Sequence, residues 1–461
     1  MFRRPVVSLL VVALAVVVCY LVAGRGAPPL LTINQPARAI GLTGMLDVTA
    51  EAPNARFTTL AVVLEQDGKS VPLFSLNDTR QVTISPGGAD QLRVTGSFDP
   101  LSVPGLKTGR ARIVVSASRP SFLNLRQLTS TVSRDVQLRL ERPRIAVVST
   151  KHDVTIGGSE MVVYTADPPD VLSGVRVGNT EFRGFPAAGA GVPDAAPHLF
   201  VAFFALRYDE DVRRPIVAFV RDETGAEART TFVDKVLPSA FSRSRIELDD
   251  EFIDGAVPDV IAHSPELGMS APEKGSPEML SAFVKVNREL RRFNGDQIAA
   301  FALRTAPKRL WQGPFVPLVN SQVETSFADH RTYFYKGTEV DQQLHLGFDL
   351  AVTGGVPVVA ANAGTVLNAS WLGIYGNCVI LDHGMGVQSL YAHLSSLDVK
   401  AGDTVTRGQT LGRSGRTGLA ANDHLHFTML VGGRMVNPVE WWDSRWIADR
   451  VQRKLDESRS Q

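Results

Sequence analysis

The chain has 461 residues, a net charge of +1 from 48 basic and 47 acidic residues, and two cysteines. That length exceeds one ordinary core and predicts several domains. The balanced charge without a basic block excludes a nucleic-acid partner, and two distant cysteines exclude a disulfide framework.

Residues Val6 to Gly24 form an uncharged apolar run preceded by Arg3 and Arg4. At about 1.5 Å of rise per residue the run is just long enough to cross a bilayer. It predicts an N-terminal membrane anchor over residues 1–27, a single-pass transmembrane helix with its arginines in the cytoplasm. The location expected from this is the cell membrane, with the C-terminal bulk in the periplasm or outside the cell. A cleaved signal peptide competes with that reading, but the run is long and Leu21, Val22 and Ala23 make a poor cleavage site. Cys19 lies in the run, and Cys378 reads as a small buried hydrophobe.

From residue 28 to 142 the sequence reads as short strands, among them Met45 to Ala50, Thr59 to Glu65 and Leu92 to Phe98. Turn signals such as Asp67-Gly68 and Asn77-Asp78 separate them. Residues 143–238 repeat this texture, with His198 to Leu206 and Pro215 to Val220 as examples. Two immunoglobulin-like β-sandwiches in a mainly β chain are expected. His152 and His198 stand alone there, as structural or solvated histidines do.

After Pro238 the character changes, and residues 239–310 predict a helical connector. Ser242 to Phe252 reads as a capped short helix, and Ala262 to Gly275 as a loop. A clearer helix follows, with Ser276 as N-cap and Pro277 at the first position. Leu280, Phe283, Val284, Leu290 and Phe293 recur near helical spacing, a stripe suited to core or docking.

From about Trp311 the chain turns rich in glycine and strand patterns. Six of its nine histidines lie beyond residue 300: His330, His345, His383, His393, His424 and His426. His424 and His426 sit two apart in a strand pattern, so both imidazoles share one face. His345 and Asp349 lie four positions apart. Imidazole and carboxylate are zinc ligands, and three protein ligands with an open position mark a catalytic site. Each spacing alone is a weak signal.

The surrounding text is stronger. In order come Pro357 to Ala360, Gly364 to Val366, Gly376 to Gly384 and Leu390 to Leu394. Gly402 to Val405, Gly408-Gln409, Gly412, Gly415, Thr417-Gly418 and Asn437-Pro438 follow. With these elements the region resembles the lysostaphin-type (LytM-like) zinc metallopeptidase family, peptidoglycan endopeptidases with the β-rich duplicated hybrid motif fold. A zinc peptidase domain is expected over residues 311–443, followed by a helical, polar tail over 444–461.

The resemblance implies that His345, Asp349 and His426 bind Zn2+ and that His393 and His424 are the catalytic pair. It implies hydrolysis of peptide bonds in peptidoglycan stems or cross-links by metal-activated water. A second reading is a non-enzymatic LytM-like regulator of cell-wall amidases. Such relatives usually lack some ligands and often carry coiled coils, whereas here all ligands are present and no heptad pattern is sustained. A third is a zinc peptidase acting on a protein. The partners implied are peptidoglycan, the membrane through the N-terminal helix, and cell-wall proteins through sandwiches that otherwise serve as spacers. His383 and Asn377 read as structural, and Tyr333 and Tyr335 as aromatic packing. Ala328 stands where the family commonly has glycine. Residues 240–330 are the candidates for a segment covering the site.

Overall fold

The computed structural model describes residues 3–23, 26–78, 82–121, 124, 126–192 and 194–459. The chain is mainly β and divides into two units, Met1–Pro143 with Arg221–Glu227, and Arg144–Val220 with Ala228–Gln461.

Period-two patterning builds the sandwich of the first unit. Along strand Thr59–Gln66, Leu60, Val62 and Leu64 are buried while the residues between them are only partly covered. A strand with one wet face buries the other against a second sheet. One sheet runs in the order Leu30–Gln35, Gly44–Glu51, Gln91–Phe98, Val82–Gly88. The other runs Ala39–Ile40, Arg126–Leu138, Gly109–Ser121, Thr59–Gln66, Lys69–Ser75. Leu31, Ile33, Leu46 and Val48 meet Leu60, Val62, Ile113 and Val115 in one core that belongs to this unit alone.

A helix spans Arg3–Ala23, but no helix among the described residues is long and apolar enough to cross a membrane. The expected transmembrane anchor is overturned, and with it the single-pass membrane location.

The second sandwich belongs to the second unit. Its strand Leu199–Ala205 is buried at every residue, so both of its faces are covered. The far face meets the C-terminal region: the Phe203 ring lies 6.3 Å from Trp311 and 6.0 Å from Trp441. One hydrophobic cluster runs from Met161, Val201 and Phe203 through Trp311 and Phe315 to Leu425, Phe427 and Trp441. The tail reinforces it. Lys454 and Glu160 form a fully buried ion pair at 2.8 Å, Lys454 also donates to the Met161 carbonyl at 2.7 Å, and Arg450 approaches Glu160 at 3.2 Å.

The connector departs from its expected form at its start. Arg243–Leu248 is a strand, paired in parallel with Asp329–Tyr335 from Arg243 opposite His330 to Leu248 opposite Tyr335. Its residues alternate between polar and apolar near the end, Ile246 and Leu248, which suits a sheet. Helix Asp250–Ala262 begins only afterwards, capped by Asp249, whose carboxylate accepts from the Phe252 N–H at 2.7 Å. The later helix, Pro277–Lys285, starts at Ser276, but the Ser276 hydroxyl makes no capping bond. Ile253, Val257, Phe283 and Leu290 share a core with Tyr333, Leu372, Ile374 and Cys378, so the connector is fixed to the C-terminal sheet.

That sheet carries the strands of interest. Its order is Gln322–Thr325, Phe348–Ala351, His424–Val431, Val387–Leu394, Asn377–Gly384, Gly364–Trp371, Thr404–Val405.

Candidate metal centre and active site

Sheet register assembles the site. Strand Phe348–Ala351 pairs antiparallel with His424–Val431, which sets Asp349 opposite His426 and Ala351 opposite His424. Strand Val387–Leu394 lies on the other side and sets Ala392 opposite His426, with His393 next in line. His345 arrives at the end of Thr338–His345, opposite Asp329. The intervening Gly347 is required, because a Cβ there would sit 2.5 Å from the His426 imidazole.

Three ligand-type atoms converge. His345 Nε2 lies 2.9 Å from Asp349 Oδ1 and 2.9 Å from His426 Nδ1, and His426 Nδ1 lies 3.1 Å from Asp349 Oδ1. All three residues are buried. The His345 Nδ1 faces the Ser326 carbonyl at 3.4 Å, so that nitrogen carries the proton and Nε2 offers a lone pair. Lone pairs aimed at one point repel unless a cation or a shared proton lies among them. Two imidazole nitrogens and one carboxylate oxygen fit a divalent metal ion, with an open position left for water or substrate.

His393 and His424 flank this cluster, their rings 4.8 Å apart. His393 Nδ1 donates to the Thr417 carbonyl at 2.8 Å, and His424 Nδ1 donates to the Asn422 carbonyl at 2.8 Å. His393 therefore keeps Nε2 for the cavity that both residues line, while His424 Nε2 lies 3.4 Å from Asp349 Oδ1. His393 has φ of +63°, the left-handed region that a non-glycine residue enters at a cost of about 1–3 kcal/mol. Such a cost is borne where a side chain must point one way.

The charges are uneven. Burial holds His393 well below the ordinary histidine value, helped by the neighbouring His424 and His426. Burial also opposes protonation of His424, but the Asp349 carboxylate outweighs it and His424 is raised. Burial pushes His345 down to about 4 and lowers His426. Burial works to raise Asp349, yet His345, His424 and His426 together hold it well below the usual carboxylate range.

Residues 343–438, which contain all five of these side chains, match Peptidase family M23. This region is an M23 (LytM-type) peptidase domain. Over 96 residues the chain is 43% identical to an uncharacterized metalloprotease of Haemophilus influenzae, covering 21% of this chain and 20% of that protein. It is 40% identical over 96 residues to the peptidoglycan DD-endopeptidase ShyA of Vibrio cholerae, covering 21% and 22%. The chain thus spans about a fifth of the length of these curated relatives. The catalytic domain of lysostaphin, an antimicrobial peptidase from Staphylococcus simulans, aligns at 27% identity over 31% of this chain and 96% of that one, with a TM-score of 0.21.

The other residues singled out by sequence fall outside the M23 site or support it. His383 is fully buried, Nδ1 on the Ala363 carbonyl and Nε2 on the Ser389 hydroxyl, both at 2.7 Å. Asn377 donates its side-chain amide to the Leu394 carbonyl at 3.1 Å and is a sheet fastener. His330 is exposed. Ala328 has φ of +61°, which explains why glycine suits that position. Tyr333 lines the cavity, while Tyr335 donates its hydroxyl to Asp250.

One contribution escaped the sequence reading, and a second was expected only as a segment, residues 240–330, without named residues. Arg331 Nη2 donates to Asp349 Oδ2 at 2.6 Å, fixing the carboxylate so that Oδ1 faces the imidazoles. The cavity in front of the M23 cluster, about 300 Å³, is walled partly by Glu247, Leu248, Phe252, Phe283 and Arg291 from the connector. No local motif signals either, since strand pairing between distant segments creates both.

Proposed function

We propose that this chain is a zinc endopeptidase that hydrolyses peptide bonds in peptidoglycan stems or cross-links, with His345, Asp349 and His426 as the metal ligands. The observation that carries the reading is the convergence of these three buried ligand atoms within about 3 Å of one another, inside a domain of the M23 family. Relatives named as peptidoglycan DD-endopeptidases support the substrate class. Zinc held there would supply Lewis acidity for the scissile carbonyl and lower the pKa of water to about 7.

The chain's own residues do the rest. Arg331 holds Asp349 in place and offsets its charge. His393 Nε2 and His424 Nε2 each take or return a proton at the open position, or hydrogen-bond the carbonyl oxygen as charge develops on it. Their fixed Nδ1 bonds to backbone carbonyls keep both rings oriented through the reaction. The sheet sets one of these histidines on each of two neighbouring strands. The first sandwich then acts as a spacer that can also bind wall or partner protein.

Metal analysis tests the ligand assignment. The purified full chain should hold one equivalent of zinc and release new amines from peptidoglycan. Chelation or His345→Ala should remove both the zinc and the activity, and a His345→Ala protein that keeps its full zinc content would refute the assignment.

A further inference from the structure

Arg291 opens helix Arg291–Ala300, directly after a π-helical turn at Val286–Leu290. Such turns are rare and recur at functional sites. This one places the buried Asn287 so that it holds Arg291 twice. Arg291 Nε donates to the Asn287 carbonyl at 3.1 Å, and Nη2 donates to the Asn287 side-chain oxygen at 2.6 Å. Both acceptors are neutral, so the guanidinium is oriented without being neutralised. Its neighbour Arg288 differs, being paired with Asp341 at 2.6 Å.

Of the five N–H donors of a guanidinium, those on Nη1 and one on Nη2 remain for a ligand. Among the described residues no carboxylate lies in ion-pair range of Arg291, Arg292 or Arg434. All three line a cavity of about 300 Å³ together with Arg207, and Asp296 is the lone carboxylate in its wall. Arg207 is already paired with Asp209 at 2.8 Å. The cavity is therefore built positive, by side chains fixed on the connector, on the second sandwich and on the M23 domain.

Its position gives it meaning. Arg291 and Tyr375 line both this cavity and the one in front of the candidate metal cluster. The Tyr375 ring lies 5.5 Å from His426, and the Arg291 charge draws down a Tyr375 hydroxyl that burial pushes up to about 12. The two cavities therefore adjoin, so that a molecule of a few residues can occupy both.

We propose that this arginine-lined pocket binds a carboxylate of the peptide being cleaved, with Arg291 as the principal contact and Arg292 and Arg434 as supports. The assignment rests on the peptidase reading above, since it makes the pocket a substrate subsite. Guanidinium and carboxylate match in planar, two-bond geometry, which a peptide amide cannot reproduce. Arg291 and Arg292, outside the M23 match, thus set the preference for acidic peptides together with Arg434 inside it.

The test uses the full zinc-loaded chain and two synthetic stem peptides, identical except that one has its carboxylates amidated. Binding by calorimetry and cleavage kinetics are both read. The wild type should prefer the acid form by about tenfold or more, as a charge-assisted bond implies. Arg291→Gln should raise Kd and KM for the acid form and bring the acid-to-amide ratio towards one, while Arg291→Lys restores part of it. Arg292→Gln, on an exposed side chain that folding does not need, should move the ratio about threefold in the same direction. Equal binding of the two peptides by the wild type would overturn the proposal, as would an Arg291→Gln loss that is the same for both. Arg291-dependent binding of the acid peptide without cleavage would leave the pocket standing and sink the peptidase reading. Cleavage with no acid preference would do the reverse.

Discussion

The two sandwiches have the same strand-and-turn texture in sequence, yet they stand in different relations to chemistry. The first closes its own core around Val48, Val62 and Val115. The second leaves one face of Leu199–Ala205 unmatched and covers it with Trp311 and Trp441 of the C-terminal region. One is a module; the other is part of the body that carries the M23 domain. The difference lies in a single strand: Leu199, Phe200, Val201, Ala202, Phe203, Phe204 and Ala205 are apolar without alternation, so both faces must be buried.

Deletion separates the two most sharply. Removing residues 28–142 should leave the M23 domain folded and active on soluble peptides. Removing 144–238 as well should strip the shared core and abolish cooperative unfolding of what remains, measured by calorimetry. Retained activity in the shorter chain would break the contrast.

Ion pairs extend it at smaller scale. Lys454→Met leaves Glu160 buried beside Arg450 alone, at a cost of about 3–5 kcal/mol in urea unfolding of the second unit. Arg93→Ala removes the Asp47 partner on the exposed face of the first unit, and its unfolding midpoint should stay within error of the wild type.

A pH effect sharpens the same interface. Burial lifts the Glu440 carboxyl to about 7, against hydrogen bonds from the Ser159 N–H and hydroxyl. A folded value above the unfolded one means that this group's stabilising contribution is complete below pH about 4.5 and lost as pH rises through about 7. Stability of the second unit should therefore fall by on the order of 2 kcal/mol across that window, and Glu440→Gln should flatten the fall. An unchanged slope in the variant would place the titration elsewhere.

The mainly β character was legible because strand periodicity is local, and the M23 domain was legible because its motifs stand in order along one stretch of chain. Ser242 to Phe252 reads as helix in the sequence because the cap at Asp249 sits inside that stretch and the strand before it is stabilised by Asp329–Tyr335, far along the chain. Arg331 was invisible for the same reason, since it gains its role from Asp349 across a sheet, whereas Arg291 was missed because nothing in the sequence marks the π turn that lets Asn287 hold it. The apolar run at the start matched a span by counting residues, whereas no described helix meets the length and apolarity required. The tail looked like a polar end, but Lys454 is completed by Glu160 and the Met161 carbonyl, both distant in sequence.

The most direct test is mass spectrometry of peptidoglycan digested by the full chain carrying one equivalent of zinc. The account predicts fragments that differ from the starting muropeptides by hydrolysis of a peptide bond, absent with His393→Ala and absent after chelation. A folded, zinc-loaded protein that leaves every peptidoglycan type intact would contradict it.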